Sequence, residues 1–174
     1  MTMQPVASTG QSQGAAPHPI AELLACPPET ETLLNASAQC FEFDAGETVF
    51  RQADDCGGLY VVVSGQLVRK AERKEARLTL GSVRAGDLVE LAAALGDRRH
   101  TYTLTALTPA SLLLLPIGAL NQAFDTHPPL RMQLLEELAR EVSRAYRACR
   151  AARIAHTRHN GRTASAYGKN ECLP

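Results

Sequence analysis

Residues 43–67 read FDAGETVFRQADDCGGLYVVVSGQL, and this stretch decides the fold. Its apolar residues up to Phe50 are interrupted by the turn-forming residues 44–46, Asp-Ala-Gly. The β-branched segment 59–63 follows, and the Ser-Gly pair at 64–65 ends it. Short apolar segments separated by glycine-containing turns are typical of β-strands.

The same pattern continues toward the C-terminus. Residues 76–80 and 101–105 alternate between polar and apolar side chains, and residues 111–115 form a continuous apolar run. Many short strands with turns about every eight to twelve residues are typical of a β-sandwich or jelly roll. The sequence therefore predicts a mainly β protein, a double-stranded β-helix or jelly roll flanked by helices.

A helical period returns after Pro116. Residues 117–124 predict a short helix, and a long helix is predicted from about Pro129 to His156. Apolar residues along the long helix repeat at steps of three and four, as in a coiled-coil seam. The seam consists of Leu135, Leu138, Val142, Ala145, Cys149 and Ala152, with His156 at its end. We expect the first half, with Leu134 and Leu138, to pack on the β-core. The second half is expected to pair with a second copy, which gives a homodimer.

Length and composition exclude several classes of protein. A chain of 174 residues suits one ordinary domain, and hydrophobic residues at 45% are typical of globular proteins. The formal net charge is zero, which gives no general affinity for nucleic acid or an anionic membrane. No apolar run is long enough to cross a bilayer, and the N-terminus lacks the features of a secretion signal. The expected location is therefore the cytoplasm.

The cysteines and histidines give no sequence sign of a metal centre or of catalysis. The five cysteines are scattered without a CxxC pair, so we expect no metal and no bound cofactor. A redox role for Cys26, Cys40 or Cys56 is the alternative. Of the five histidines only His100 lies in the predicted roll of strands. A metal-dependent enzyme on a β-barrel needs a cluster on facing strands, so the chain is predicted not to be an enzyme.

The pattern divides the chain into four segments. Residues 1–19 are rich in Ser, Gln, Gly and Pro and predict a disordered leader. Residues 20–127 predict the β-roll with flanking short helices, and residues 128–157 predict the long helix. Residues 158–174 predict a basic flexible tail without a helix-turn-helix pattern, so direct DNA binding by this chain is not expected.

A candidate site lies in residues 86–99, GDLVELAAALGDRR. Glu90 precedes a short helical run of small residues and can accept hydrogen bonds from hydroxyl groups. The N–H groups at the start of that run suit an anion, and Arg98 or Arg99 can pair with a phosphate. A carboxylate for a sugar and an arginine for a phosphate describe a nucleotide pocket. The alternative is a surface turn with solvated arginines.

These segments together resemble the cyclic nucleotide-binding domain. The opening stretch matches that family's glycine turns and alternating apolar residues. The candidate site matches its phosphate-binding cassette, G-x-F-G-E-L-A followed by a glycine and an arginine. The matching residues are Gly86, Leu88, Glu90, Leu91, Ala92, Gly96 and Arg99. The resemblance covers about residues 20–156 and is greatest to the sensor half of the catabolite-activator and fumarate-nitrate-regulator (CRP/FNR) type of transcription regulator, without its helix-turn-helix half.

The resemblance implies a cyclic-nucleotide ligand of the cAMP or cGMP type, coupled to the dimer helix. Glu90 would accept a hydrogen bond from the ribose 2′-hydroxyl, and Arg99 would pair with the cyclic phosphate. The N–H groups of Leu91 and Ala92 would add donors, and Thr101 would contact the phosphate or the base side.

Two residues depart from the family pattern. Val89 replaces the glycine before the cassette glutamate, and His100 replaces the small residue after the arginine. In a register shifted by one, His100 itself occupies the arginine position and phosphate binding fails. We favour Arg99 for that position, and we include His100 among the candidate ligand-binding residues.

Two other functions fit the same fold. A degenerate scaffold would bind no nucleotide and would act through protein–protein contacts. A haem or redox sensor would use Cys56 and His100, the candidate ligands within the roll.

Overall fold

A computed structural model describes residues 24–73 and 76–166 of the chain. Eight strands and four helices lie within these ranges. The strands are β1 (Gln39–Phe43), β2 (Thr48–Phe50), β3 (Gly58–Ser64), β4 (Gln66–Arg73), β5 (Ala76–Arg84), β6 (Leu88–Val89), β7 (Thr103–Ala106) and β8 (Ala110–Pro116). The helices are α1 (Pro28–Ser37), α2 (Leu91–Leu95), α3 (Ile117–Thr126) and α4 (Pro128–Ala166).

The strands form two four-stranded antiparallel sheets. One has the order β1-β8-β3-β6 and the other the order β2-β7-β4-β5. Strands β3 and β8 pair with Tyr60 opposite Leu114, and β4 and β7 pair with Leu67 opposite Ala106. The prediction of a mainly β jelly roll flanked by helices is confirmed.

The hydrophobic core of the roll combines side chains from both sheets. Val62 and Leu112 come from the first sheet, Leu67 and Leu104 come from the second, and all four are 0% exposed. Along β7 buried and partly exposed residues alternate, as expected of a strand with one face in a core. The alternation seen in the sequence therefore corresponds to real burial.

Gly65 makes the turn between β3 and β4 that the opening stretch predicts. Its φ is +87°, and a Cβ atom there would lie 2.5 Å from the carbonyl oxygen of Pro109. A side chain at this position would be both strained and in collision with backbone. Glycine is therefore required for the two sheets to connect at this corner.

Helix α4 spans both of the compact units into which the chain divides, residues 1–135 and residues 136–174. In the first unit Leu130 and Leu134 are buried, as expected for the start of the helix. The helix continues to Ala166, ten residues beyond the predicted end at His156, so the tail predicted from residue 158 is wrong up to residue 166. The leader predicted at 1–19 lies outside the described residues.

The second unit presents an ion-paired and partly apolar helix surface. Glu137 accepts hydrogen bonds from Arg140 at 3.0 Å and Arg144 at 2.8 Å. Val142 and Tyr146 are 59% and 64% exposed. Along the predicted seam Leu135 and Ala145 are exposed and Leu138 is half-buried, while the side chains of Cys149 and Ala152 lie outside the described part. Dimerisation through this seam stays a prediction.

Candidate functional site

Glu90 stands between β6 and α2, at the point where the cassette was expected. Its backbone is left-handed, with φ of 70° and ψ of 31°, a conformation that costs a residue with a side chain about 1–3 kcal/mol. Its carboxylate is 0% exposed. A strained backbone carrying a buried charge is a combination that persists where surrounding contacts hold it, often at functional sites.

The backbone and hydroxyl groups of Thr101 hold the carboxylate of Glu90. The Thr101 N–H donates to both Glu90 oxygens at 3.3 Å, and its Oγ1 donates to Oε1 at 3.3 Å. Oε2 also lies 3.7 Å from Nδ1 of His100. That distance is longer than a hydrogen bond, so the two side chains face each other without one.

The imidazole of His100 lies inside the roll. It stacks on the ring of Phe50 with 3.8 Å between centroids and 4° between planes, and the ring of Tyr60 lies 6.0 Å away. Burial lowers the pKa of His100, but interactions with Cys56 and Glu90 outweigh burial and raise the pKa to about 9. Cys56 and Glu90 therefore favour the protonated form of the ring.

Cys56 completes a buried group of three side chains. It is 5% exposed, and its thiol donates to the carbonyl oxygen of Gly58 at 3.1 Å. One donor atom each from Cys56, Glu90 and His100 lie within 4.8 Å of one another. Burial, followed by the nearby Cys56 and Glu90, raises the pKa of Tyr60 to about 12, so its hydroxyl stays protonated beside this group.

Backbone pairing between two loops decides which side chain of residues 98–100 turns inward. The N–H of Cys56 donates to the carbonyl of Arg98 at 2.8 Å, and the N–H of His100 donates to the carbonyl of Asp54 at 2.9 Å. Asp55 and Arg99 form a bridge between the loops. Side chains alternate in direction along paired extended segments. When His100 turns into the roll, Arg99 must therefore turn out.

Arg99 is accordingly at the surface. Its side chain is 62% exposed, and Nη1 donates to the carbonyl of Ala53 at 2.9 Å and lies 3.7 Å from Asp55. In this arrangement Arg99, favoured above as the phosphate partner, does not point toward Glu90. The inward position belongs to His100, as in the shifted register that the sequence left as the alternative.

The structure thus brings together three of the six candidate ligand-binding residues, Glu90, His100 and Thr101. Leu91 is buried at the start of α2 and Ala92 is exposed beside it, while Arg99 lies apart from the group. Binding of a ligand by any of the six stays a prediction. Val89 is 1% exposed and belongs to the core.

Phe50 and Tyr60 were missed as components of the site. Both were assigned to strands, and their contacts with His100 depend on the loop pairing rather than on any local pattern. Cys56 was named only as a candidate haem or redox residue. Its nearness to Glu90 gives no signal in the sequence, because the two residues are brought together by strands far apart in the chain.

The family model described as "Cyclic nucleotide-binding domain" matches residues 40–127. Because this is half of the chain, the protein belongs to the cyclic nucleotide-binding domain family. Its fold is that of the sensor domains of CRP/FNR-type regulators.

Solved structures support this fold. The sensor domain of the transcriptional regulator DNR from Pseudomonas aeruginosa matches with a TM-score of 0.63 and 23% identity, over 73% of this chain and 85% of that one. The Catabolite Activator Protein of Thermus thermophilus matches with a TM-score of 0.65 and 22% identity, over 78% of this chain and 63% of that one. At these identities the likeness concerns the fold alone.

A curated relative matches over a short segment. The mouse Patatin-like phospholipase domain-containing protein 7 is 32% identical over 104 residues, which are 58% of this chain and 8% of that protein. The chain therefore spans less than a tenth of the length of this relative. Within the described residues, no helix is both long enough and apolar enough to cross a membrane.

Proposed function

We propose that this chain is a non-enzymatic, cytoplasmic regulatory module of the CRP/FNR type whose nucleotide site is filled by its own His100. Its output is a protein–protein contact made by α4, with a second copy as the partner. The observation that carries this proposal is the position of the His100 ring, which stacks on Phe50 and faces the buried carboxylate of Glu90.

The charge of this site does not suit a cyclic phosphate. The resemblance expects a guanidinium beside Glu90, where this chain has an imidazole. His100 faces Glu90 in the place where the resemblance expects that guanidinium, and Arg99 is turned to the surface. With Arg99 at the surface, a cyclic phosphate placed beside Glu90 would lose its hydration without gaining the expected guanidinium partner, which is unfavourable. In this arrangement cAMP and cGMP, the ligands expected from the sequence, do not bind.

A cyclic-nucleotide sensor is the second candidate, and one observation favours it. Glu90 and Thr101 are already joined at the place where the resemblance assigns sugar and phosphate contacts. The side chain of Arg99 is held outside by one hydrogen bond and one long, exposed ion pair, and exposed pairs contribute little. Nucleotide binding would require Arg99 and His100 to exchange sides.

Isothermal titration with cAMP and with cGMP tests the two candidates. We expect no binding to the wild type or to Arg99→Ala. His100→Arg places a guanidinium on the inward side beside Glu90, and we expect it to bind cAMP measurably at concentrations where the wild type shows no heat. Micromolar binding by the wild type that is lost in Arg99→Ala and retained in Arg98→Ala would overturn the proposal and establish the nucleotide sensor.

A further inference from the structure

Cys56 joins Glu90 and His100 in a buried cluster, and the proposed function assigns no ligand to this cluster. They come from three separate segments: the loop after β2, the junction of β6 and α2, and the loop before β7. Their exposed fractions are 5%, 3% and 4%. One donor atom from each lies within 4.8 Å of the others. Sulfur, oxygen and nitrogen donors therefore converge on one point inside the roll.

One of these donors has no partner. Nδ1 of His100 is buried and makes no hydrogen bond among the described residues, and its nearest charged neighbour, Oε2 of Glu90, is 3.7 Å away. A buried polar atom left without a partner costs about 1–3 kcal/mol. A cation seated between nitrogen, carboxylate and sulfur would satisfy all three.

We propose that this cluster binds a zinc ion. Thiolate, imidazole and carboxylate are the three ligand types that zinc uses in proteins. A thiolate with an imidazole favours zinc over the hard cations magnesium and calcium, which prefer oxygen ligands alone. One thiolate and one carboxylate also neutralise the two charges of the ion, so the bound site is neutral overall. A neutral complex can be buried at far lower cost than a net charge.

The distances allow this with a small movement. Ligand atoms about 2.0–2.3 Å from a tetrahedral zinc lie about 3.3–3.7 Å from one another. The nitrogen and oxygen of His100 and Glu90 already have this separation, at 3.7 Å. The widest pair, at no more than 4.8 Å, must close by about 1 Å. The backbone of the Cys56 loop is held by hydrogen bonds to Arg98 and His100, so this closure must come from rotation of the side chains.

The surroundings suit a metal site in two ways. Phe50, Tyr60 and Val89 surround the cluster with apolar side chains and limit access of water. Thr101 donates to the Glu90 carboxylate and fixes its orientation, the usual task of groups behind metal ligands. Three protein ligands leave the fourth zinc position for solvent or a small exogenous ligand. Binding displaces the thiol proton now donated to Gly58 and any proton on His100.

This inference deepens the proposed function, since it names an input for the site that His100 fills. It rests on the closed arrangement of that site and is independent of pairing through α4. The sequence predicted no metal because the three ligands are far apart in the chain and show no zinc spacing. Only the loop pairing brings them together.

Cobalt substitution and zinc competition test the site. The full chain, purified free of metal, is titrated with Co²⁺, and the sulfur-to-cobalt charge-transfer band in the near ultraviolet is recorded. Zinc affinity is then measured by competition with a chromophoric chelator. The key variant is Cys56→Ser. The matched control replaces the other four cysteines, Cys26, Cys40, Cys149 and Cys172, with serine and leaves Cys56 alone.

We expect one equivalent of metal, with the charge-transfer band present in the wild type and in the four-serine control and absent in Cys56→Ser. Zinc affinity should fall by at least about 100-fold in Cys56→Ser and in Glu90→Gln, more than the loss of a group behind a ligand causes. Circular dichroism of each metal-free variant confirms that it is folded. A Glu90→Gln variant that does not fold leaves the decision to Cys56→Ser, which replaces sulfur by oxygen in a chain that is otherwise unchanged.

A wild type without a charge-transfer band, or a band that survives in Cys56→Ser, would overturn the zinc proposal. Sedimentation and nucleotide titration on the same preparations keep the two proposals apart. If the protein binds no metal but is a dimer that does not bind nucleotide, the zinc proposal is wrong and the proposed function is retained. If the protein binds nucleotide through an arginine, the proposed function is wrong, and the cobalt titration alone then decides the zinc proposal.

Discussion

Glu90 and Glu137 are the same side chain in two different regions of the molecule, and they are held by different means. The Glu90 carboxylate is 0% exposed and contacts His100 and Thr101, which the loop before β7 brings to it. The Glu137 carboxylate is 33% exposed and contacts Arg140 and Arg144 on its own helix. The first environment depends on the whole fold, and the second depends on helical spacing.

The two environments suit the two regions to different roles. Burying a carboxylate lowers the stability of the fold unless a cation or a hydrogen-bond donor pairs with it. The Glu90 region is therefore suited to sense a ligand that supplies such a cation. The ion pairs around Glu137 lie in solvent and are screened by salt. The surface of α4 is therefore suited to reversible contact, and its exposed Val142 supplies apolar area for it.

The largest effect expected concerns burial in the roll. Leu104 is 0% exposed and Leu80 is 52% exposed, and both lie on strands of the same sheet. We expect Leu104→Ala to lower the free energy of unfolding by about 2–5 kcal/mol. The matched change Leu80→Ala should alter it by no more than about 0.5 kcal/mol. Urea unfolding followed by circular dichroism measures both, and similar losses in the two variants would contradict the core described here.

The next effect concerns the corner that joins the sheets. Gly65→Ala should destabilise the roll by about 1–3 kcal/mol, because Gly65 has a positive φ and no space for a Cβ atom. Gly118→Ala is the control: Gly118 lies in α3 with nothing within 4 Å of an added Cβ atom. That variant should be stabilised by about 0.5–1 kcal/mol. Thermal unfolding compares them, and an unchanged midpoint in Gly65→Ala would be contrary evidence.

Most of the fold could be predicted from the sequence because its signals are local. The apolar alternation of β7 and the glycine at the β3–β4 corner are each visible within a few residues. The end of α4 could not be predicted in the same way. Apolar periodicity stops at His156, yet the following residues remain helical to Ala166. Residues 157–166 are helical although their sequence has no apolar periodicity. Periodicity alone therefore underestimates the length of α4.

The candidate site could be predicted only in part. Glu90 was identified because a lone acid precedes a run of small residues, and that pattern is local. The sequence could not predict whether Arg99 or His100 turns inward, because neighbouring residues differ only in direction. Direction is set by hydrogen bonds to Asp54 and Cys56 in another loop. Spacing inside one loop carries no information about that pairing.

If two copies pair through the seam of α4, a charge placed on the seam should weaken pairing and a charge placed beside it should not. Val142→Glu places a charge on the predicted seam, and we expect it to weaken self-association at least tenfold, about 1.4 kcal/mol. Ser143→Glu adds the same charge at an exposed position beside the seam and should leave association unchanged. Sedimentation velocity at micromolar concentration measures both. A wild type that is monomeric, or equal losses in the two variants, would count against a dimer through this seam.

The smallest effect expected is the pH dependence of the helix ion pairs. The hydrogen bond from Arg144, assisted by Arg140, lowers the pKa of Glu137. A carboxyl group whose folded pKa is lowered stabilises the fold above its unfolded pKa, and this stabilisation is lost as the pH falls through the folded value. Because Glu137 is a third exposed, the gain at pH 7 should be only about 0.3–0.5 kcal/mol. Carboxyl carbon NMR titration should place the midpoint of Glu137 below the ordinary value for a glutamate side chain. Arg144→Gln should raise the Glu137 midpoint, and high salt should reduce the difference, whereas a midpoint insensitive to Arg144 would assign the shift to another cause.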